Sequence, residues 1–569
     1  MESYITYVPG MHPGNKPPDF QYKAFIQSGD FPHRRTKDDL DFDQDDDVFV
    51  AFPGDNLHAA FSESSGKPFF SSFGCQVVCG FPKRKAGNIA DFVRCWGGAY
   101  ESMVVLDADS VMSGHALITL ARLMDAHPEV GIIQSAPLPA GRDTLFARMV
   151  QFGARLNGPM LSSGLAFWQL GEANYWGHNA ILRIAPFARS CALPRLPGSA
   201  PLGGEILSHD FVEAAFMRRA GYEVWLLADL EGSWEEVPSN IIDFAARDRR
   251  WAQGNLQHLG VLRMRGLHWL NRIHMLTGVL SYATSPIWFT VLILSSILTC
   301  EMALQGHQYF SPGLYTLFPT WPQYREGEIE ILLTGTVIVL LLPKLLGATL
   351  ALITPALRRG FGGSLRLGVS LLLEQIFSVL LAPPMMVFHS TFVLTTLAGR
   401  PVAWNAQERG DRGIGLGEAM WRHKWHILLG LAWGTAILFM APRFIWWMMP
   451  VIAGLLLSAP VTALTSRASV GRFLRRLGLL LTPEEFSPPP ELKQLLNSSA
   501  DNEHDRSSEP GNPEGGEREL PALPAPAPLA MDPVVPEYLG IRSSLAGFAR
   551  IAIAAWPAGP RHGEPLKSR

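Results

Sequence analysis

Three carboxylates, a lysine and an arginine–tryptophan pair stand out as candidates for binding or catalysis. Asp107-Ala108-Asp109-Ser110 directly follows the apolar run Val104-Val105-Leu106. Two carboxylates projecting past the end of a buried strand supply hard oxygen donors for Mg²⁺ or Mn²⁺, ions that keep water and take further ligands from substrate phosphates. A nucleoside diphosphate is the natural partner. The same spacing also fits a turn capping the next helix, and Asp41-Phe42-Asp43 repeats the pattern elsewhere. Ser208-His209-Asp210 opens an amphipathic stretch over 211–220. Ser208 or Asp210 is there a helix N-cap, or Asp210 is a general base, since a carboxylate at a helix start is favoured as the anion and can take a proton from an attacking hydroxyl. His209 reads equally well as a packed histidine. Arg247-Asp248-Arg249-Arg250-Trp251 is the densest charged cluster before the long apolar segments. Arg250 could neutralise a departing diphosphate through charge-assisted bonds, and Trp251 could give a sugar ring an apolar face. A basic surface at a membrane boundary would look the same. Upstream, Lys85 with Gly87 and Asn88 offers a phosphate contact or a solvated turn.

The elements that must hold these groups alternate. A β-branched apolar run at 101–107 is followed by a helical pattern at 115–127, a second run at 130–135 and a helix-like stretch at 144–156. That alternation predicts an α/β domain, in which ligands gather at the carboxyl ends of strands. The 569 residues leave room for two or more folding units. With 48 Lys plus Arg against 51 Asp plus Glu the net charge is −3, so no basic field exists to hold nucleic acid. Only 17% of residues are charged, against about 25% in soluble domains, which points part of the chain at lipid. Cys75, Cys79, Cys95, Cys191 and Cys300 form no paired C-x-x-C, so neither a disulfide framework nor a zinc site is expected.

The apolar residues concentrate between Met275 and Leu464. The run 275–300 is uncharged and long enough for a membrane-crossing helix. A second candidate, 331–357, carries Lys344, either functional or packed against protein. The run 367–399 is interrupted by Glu374 and Pro383-Pro384, and 427–440 and 444–464 suggest a hairpin. Arginines cluster at 358–366, 400–424 and 467–476 and belong on the cytoplasmic side. To keep both its flanks there, 367–399 must cross twice or dip and return, giving four or six crossings. No signal peptide is visible, so the domain before Met275 is expected in the cytoplasm. Beyond Arg476 the composition is that of a disordered tail.

Taken in order, the D-x-D after a strand, a lone downstream aspartate, an R-x-x-R-W and then membrane helices resemble a processive family 2 glycosyltransferase. The resemblance is closer still to the bacterial glucosyltransferases that build the β-1,2-linked backbone of osmoregulated periplasmic glucans. It rests on KRKAGNIADF at 83–92, MVVLDADSVM at 103–112, FWQLGEANYWGHNAILR at 167–183, ILSHDFVEAAFMRRAGYEVW at 206–225, RDRRWAQGNL at 247–256 and PEEFSPP at 483–489. It implies a GT-A-like α/β glycosyltransferase domain, incomplete at its N-terminus, followed by an α-helical transmembrane bundle. The divisions would be an atypical segment 1–82, a cytoplasmic domain 83–270, a membrane region 271–476 and a largely disordered tail 477–569.

Residue by residue, the resemblance makes Asp107 and Asp109 ligands of Mg²⁺ or Mn²⁺ and of the UDP-glucose diphosphate, with Lys85, Gly87 and Asn88 on the donor side. Asp210 becomes the catalytic base. Arg250 and Trp251 lie near diphosphate and acceptor, with Arg247 where cellulose-type synthases have glutamine, and Gly177 and Asn179 belong to the acceptor side. The implied partners are UDP-glucose, a growing glucan, the lipid bilayer of the bacterial inner membrane and other periplasmic-glucan biosynthesis proteins. The linker 400–426 stands where related synthases have a mobile gating loop. Residues 1–82 depart from the pattern: they lack an early apolar span, 33–48 is an acidic run, and only Asp55 could replace the missing uridine-side carboxylate. A catalytically impaired truncated member and a cellulose- or hyaluronan-type synthase remain the alternatives.

Overall fold

Along Ser102–Asp107, Met103 and Val105 enter one hydrophobic cluster and Val104 and Leu106 another, because successive side chains of a strand point to opposite faces of its sheet. Both faces of that strand are covered, as expected of an interior strand in an α/β domain. The computed structural model describes residues 4–7, 47–52, 74–77, 84–95, 97–107, 109–305, 326–402 and 410–493, all within one of the chain's two compact units. Asp41, Asp43, Asp55 and most of the acidic run fall outside the described residues.

Among the described residues, ten strands build two sheets: β1 (Tyr4–Tyr7), β2 (Asp47–Phe52), β3 (Gly74–Val77), β4 (Ser102–Asp107), β5 (Ser110–Met112), β6 (Val130–Ser135), β7 (Leu138–Pro139), β8 (Ala180–Arg183), β9 (Glu223–Leu227) and β10 (Ser233–Glu235). The larger, mixed sheet runs β3-β1-β2-β4-β8-β6-β9, and the smaller runs β5-β10-β7. Three short strands from the atypical first 82 residues thus join the larger sheet, with Asp47–Phe52 antiparallel to β4.

Among the described residues, six helices precede the apolar region: α1 (Arg84–Cys95), α2 (Gly114–Ala126), α3 (Leu145–Gln169), α4 (Ile184–Ser190), α5 (Asp210–Arg219) and α6 (Ile241–Val261). Ile89 and Phe92 of α1 and Val212, Phe216 and Met217 of α5 pack on one face of the larger sheet. Leu117, Leu120 and Met124 of α2 pack on the other.

The apolar region is helical: α7 (Trp269–Gln305), α8 (Glu326–Ile353), α9 (Pro355–Gly360), α10 (Ser364–Leu397), α11 (Leu416–Arg422), α12 (Lys424–Met440), α13 (Ile445–Leu456), α14 (Ser458–Thr465), α15 (Ala468–Arg476) and α16 (Pro483–Phe486). By length and composition, three helices among the described residues could cross a membrane: α7, Glu330–Ile353 of α8, and α10. The pair ending in α13 and α14, bent by 54°, would make a fourth. Lys344 faces protein: its ammonium lies 2.8 Å from Glu374 Oε2 and 3.1 Å from Gln375 Oε1 of α10.

Two expectations need correcting. Residues 364–397 neither cross twice nor dip and return but form one continuous helix of 34 residues through Pro383-Pro384. A proline at 384 removes the amide that the Leu380 carbonyl would accept from. Gly454 of α13 fits against that place: a Cβ there would come within 2.8 Å of Leu380 O and of Pro383 Cγ. A neighbouring helix thus fills the notch and the prolines stay helical. Both flanks of α10 also reach the α/β domain, Leu367 in a cluster with Leu145 and Phe152 of α3 and Val402 through a 2.8 Å bond from its amide to Gln253 Oε1 of α6.

The second correction concerns 477–493, assigned by composition to the disordered tail. Arg148 of α3, 1% exposed, donates to Glu485 at 2.6 and 2.9 Å and to the Leu480 carbonyl at 2.8 Å. Arg155 donates to Glu484 at 2.6 Å. Thr482 and Glu485 close a capping box at α16. The PEEF segment is therefore a clamp on α3.

Candidate active site

β4 delivers Asp107 at its carboxyl end, and the pairing of β5 with β10 fixes the backbone just beyond it: the Asp109 carbonyl accepts from the Glu236 amide at 3.2 Å. Neither aspartate caps α2. Ser113 does, its Oγ accepting from the Ala116 amide at 3.1 Å. Asp107 is ion-paired with Lys85 of α1, which brings the upstream basic segment to the strand end. Gly87 and Asn88 are instead buried in the domain.

The turn Gly177-His178-Asn179 carries backbone φ of +96° at Gly177 and +51° at Asn179. A Cβ at Gly177 would lie 2.7 Å from Asp210 Cγ, so the bare backbone of this turn is pressed against that carboxylate and only glycine fits. His178 Nε2 lies 3.5 Å from Glu235 Oε2. Burial pulls the His178 pKa down, but the charges of Asp107 and Glu235 outweigh it and the ring sits above its ordinary value. Glu235 is itself raised, chiefly by burial, with His178 and Arg247 opposing and Asp109 and Asp107 adding to the rise. One turn thus meets Asp210 with its first residue and, with its second, Glu235, the strand partner of Ser110. Asn179 is fully buried, and its amide is spent on Ser233 Oγ at 2.7 Å and the Trp234 carbonyl at 3.4 Å, so it braces the turn.

Asp210 is the first residue of α5. The cap position is His209, which makes no capping bond, so neither Ser208 nor Asp210 is the N-cap. His209 Nδ1 hydrogen bonds with Glu213 Oε1 at 3.0 Å and lies 3.1 Å from Asp210 Oδ1. Burial pulls the imidazole down, yet Asp210 and Glu213 prevail and push it up to about 9, so the ring is cationic at neutral pH. Asp210 Oδ1 is buried with no hydrogen-bond partner among the described residues.

Helix α6 locks onto this loop. A Cβ at Gly254 would lie 2.2 Å from Ser208 Oγ, His258 Nε2 sits 2.8 Å from the Ser208 carbonyl, and Gln257 accepts from the Leu207 amide at 2.9 Å. Arg250 shares the α6 face of Gly254, four positions on, and is 9% exposed. Trp251 is 46% exposed, with the Arg247 guanidinium 4.5 Å from its ring centre. Burial pulls Arg247 below its ordinary value against the pull of Glu235, Asp248 and Asp109. These contacts bring Lys85, Asp107, Asp109, Gly177, Asp210 and Arg247 into one neighbourhood, with Arg250 and Trp251 joined to it through α6. Gly87, Asn88 and Asn179 are buried beside it, Asn88 with an Oδ1 that has no hydrogen-bond partner among the described residues. Sequence reading missed Glu213, visible only as an i,i+4 partner of His209, and Glu235, whose place depends on the pairing of two three-residue strands.

Two places could hold a metal. One ligand atom each from His209, Asp210 and Glu213 lies within 4.8 Å of the others, where the His209 ring would have to give up its proton to serve as a ligand. Asp107 and Asp109, with Ser110, whose buried Oγ has no hydrogen-bond partner among the described residues, offer the kind of hard-oxygen donors that Mg²⁺ or Mn²⁺ takes.

Residues 103–348 match the glycosyl transferase family group 2 model. The chain is 49% identical over 410 residues to a glucans biosynthesis glucosyltransferase H of Cupriavidus pinatubonensis. It is 50% identical over 411 residues to proteins of that name from Pseudomonas paraeruginosa and Klebsiella pneumoniae. Each match covers 72% of this chain and 47 or 48% of the relative, so the chain spans about half the length of the curated relatives it matches. The mixed sheet and the likeness agree: this chain carries a glycosyltransferase family 2 domain and is a relative of the glucans biosynthesis glucosyltransferases H.

Proposed function

We propose that this protein is a membrane-bound hexosyltransferase that moves glucosyl units from UDP-glucose to a growing β-1,2-glucan, with inversion, from the cytoplasmic face of a bacterial inner membrane. The observation that carries the reading is the Gly177–Asn179 turn, whose first residue is pressed against Asp210 and whose second, His178, lies 3.5 Å from Glu235, the strand partner of Ser110 next to Asp109. Donor and acceptor ends of a transfer reaction need that proximity.

Asp210 takes the proton of the acceptor hydroxyl, whose oxygen attacks the anomeric carbon. The bond from that carbon to UDP breaks, and UDP leaves with the electron pair. Gly177 holds the carboxylate in place, and the cationic His209, tied to Glu213, steadies its charge. Lys85 and Arg250 offset diphosphate charge, and Trp251 offers its open face to a sugar ring. Asp107 and Asp109 would hold Mg²⁺ or Mn²⁺, which when bound supplies positive charge to the diphosphate.

Membranes containing the chain, given radiolabelled UDP-glucose and Mg²⁺, should release UDP and build a polymer whose linkage analysis reads β-1,2. No UDP release by the wild type would sink the reading, and a 1,4- or alternating linkage would move it to a cellulose- or hyaluronan-type synthase.

A further inference from the structure

Helix α6 has two working faces. Arg247, Arg250, Gly254 and His258 follow one another at helical spacing toward the Ser208 loop and its carboxylates. Ala245, Asp248, Ala252 and Leu256 follow the same spacing on another face, and there Ala245, Ala252 and Leu256 pack with Val279 and Tyr282 of α7 and Phe392 and Val393 of α10. Asp248 is the charged residue of this apolar seam, and it is 6% exposed. His389 Nε2 of α10 lies 2.8 Å from Asp248 Oδ2, and His389 Nδ1 lies 3.3 Å from Ser285 Oγ of α7. A carboxylate only accepts, so Nε2–H donates to Asp248 and Nδ1 is left to accept from the Ser285 hydroxyl. The Tyr282 ring stands edge-on to the imidazole at 5.3 Å.

We infer that Asp248, His389 and Ser285 form a hydrogen-bonded relay that sets the rotation of α6 from the membrane side, making them positioning residues for Arg250. Asp248 and Arg250 are two positions apart, about 200° around the helix, so fixing one in the seam aims the other at the site. The Ser208 loop holds α6 on one face, and on the opposite face, where the packing is otherwise apolar, a buried directional bond across three helices fixes its rotation. The inference rests on the glucosyl-transfer reading for its kinetic consequence but not for its structural one.

The test uses the full chain in membrane vesicles and in nanodiscs. His389→Leu should lower kcat/KM for UDP-glucose by roughly 10- to 100-fold, mainly through donor KM, while His389→Gln, whose amide can still donate to Asp248, recovers most of the loss. Asp248→Ala combined with His389→Leu should be no worse than the poorer single variant. Wild-type kinetics in His389→Leu, or full additivity in the double variant, overturns the relay. If His389→Leu does not reach the membrane, Asp248→Asn takes its place, with an intermediate loss expected and unchanged kinetics counting against the relay. Hydrogen exchange over 241–261 separates the two readings: faster exchange in His389→Leu than in wild type supports the relay even if the wild type turns over no UDP-glucose, and equal exchange refutes it.

Discussion

Asp107, at the end of β4, faces the flexible cation of Lys85, whereas Asp210, at the start of α5, is pressed by the bare backbone of Gly177 and flanked by His209, itself bound to Glu213. At β4 the balancing charge sits on a four-carbon stem that can swing aside for an incoming phosphate. At α5 the balancing charge is buried and the position is set by shape. The contrast teaches that the strand end is arranged to exchange partners and the helix start to keep one geometry. Changes at β4 should therefore act on donor affinity, and changes at α5 on turnover.

The sharpest way to break this contrast is Asp210→Asn. Loss of a positioned base is worth about 10²–10⁴-fold, so polymer synthesis should fall by that order while UDP-glucose still protects the protein against heat. Retained turnover removes the base assignment. Gly177→Ala comes next: its Cβ would occupy the Asp210 carboxylate and its φ of +96° disfavours alanine, so a loss of about 100-fold in kcat and a destabilisation of about 1–3 kcal/mol are expected, read from kinetics and thermal melting. A wild-type kcat would show that Asp210 moves freely.

His209 gives a pH signature. Its pKa is raised from 6.5 to about 9 on folding, so its stabilisation is complete below pH 6.5 and is lost as pH rises through 9. The melting temperature should fall across that window, by the equivalent of a few kcal/mol at most, and His209→Gln should flatten the fall. A slope of the opposite sign, or one unchanged in the variant, contradicts the imidazolium. The smallest effect belongs to Lys85→Met, about a tenfold rise in donor KM for one lost charge-assisted contact, with kcat nearly kept. A kcat loss matching that of Asp210→Asn would erase the distinction between the two sites.

The acids at 107, 109 and 210 and the R-x-x-R-W were legible because each follows a strong local signal, a buried β-branched run or a helix start. Their convergence was not, since it depends on pairings such as β5 with β10 that no local spacing reveals. Asn179 shows the limit from the other side. Its motif placed it with the acceptor, but its amide is used up within the fold. Pro383-Pro384 misled for a related reason: local chemistry predicts a break, and Gly454, seventy residues on, accommodates it.

The clamp of Glu485 on Arg148 joins residues separated by 337 positions, with every candidate membrane span between them. On a ribosome adding about 5–20 residues per second, the buried guanidinium waits roughly 20–70 s for that partner. Completion of the α/β domain is therefore timed by synthesis of the helices downstream of it. A chain stalled before Glu485 is made would carry an α3 whose Arg148 lacks that hydrogen-bonded carboxylate.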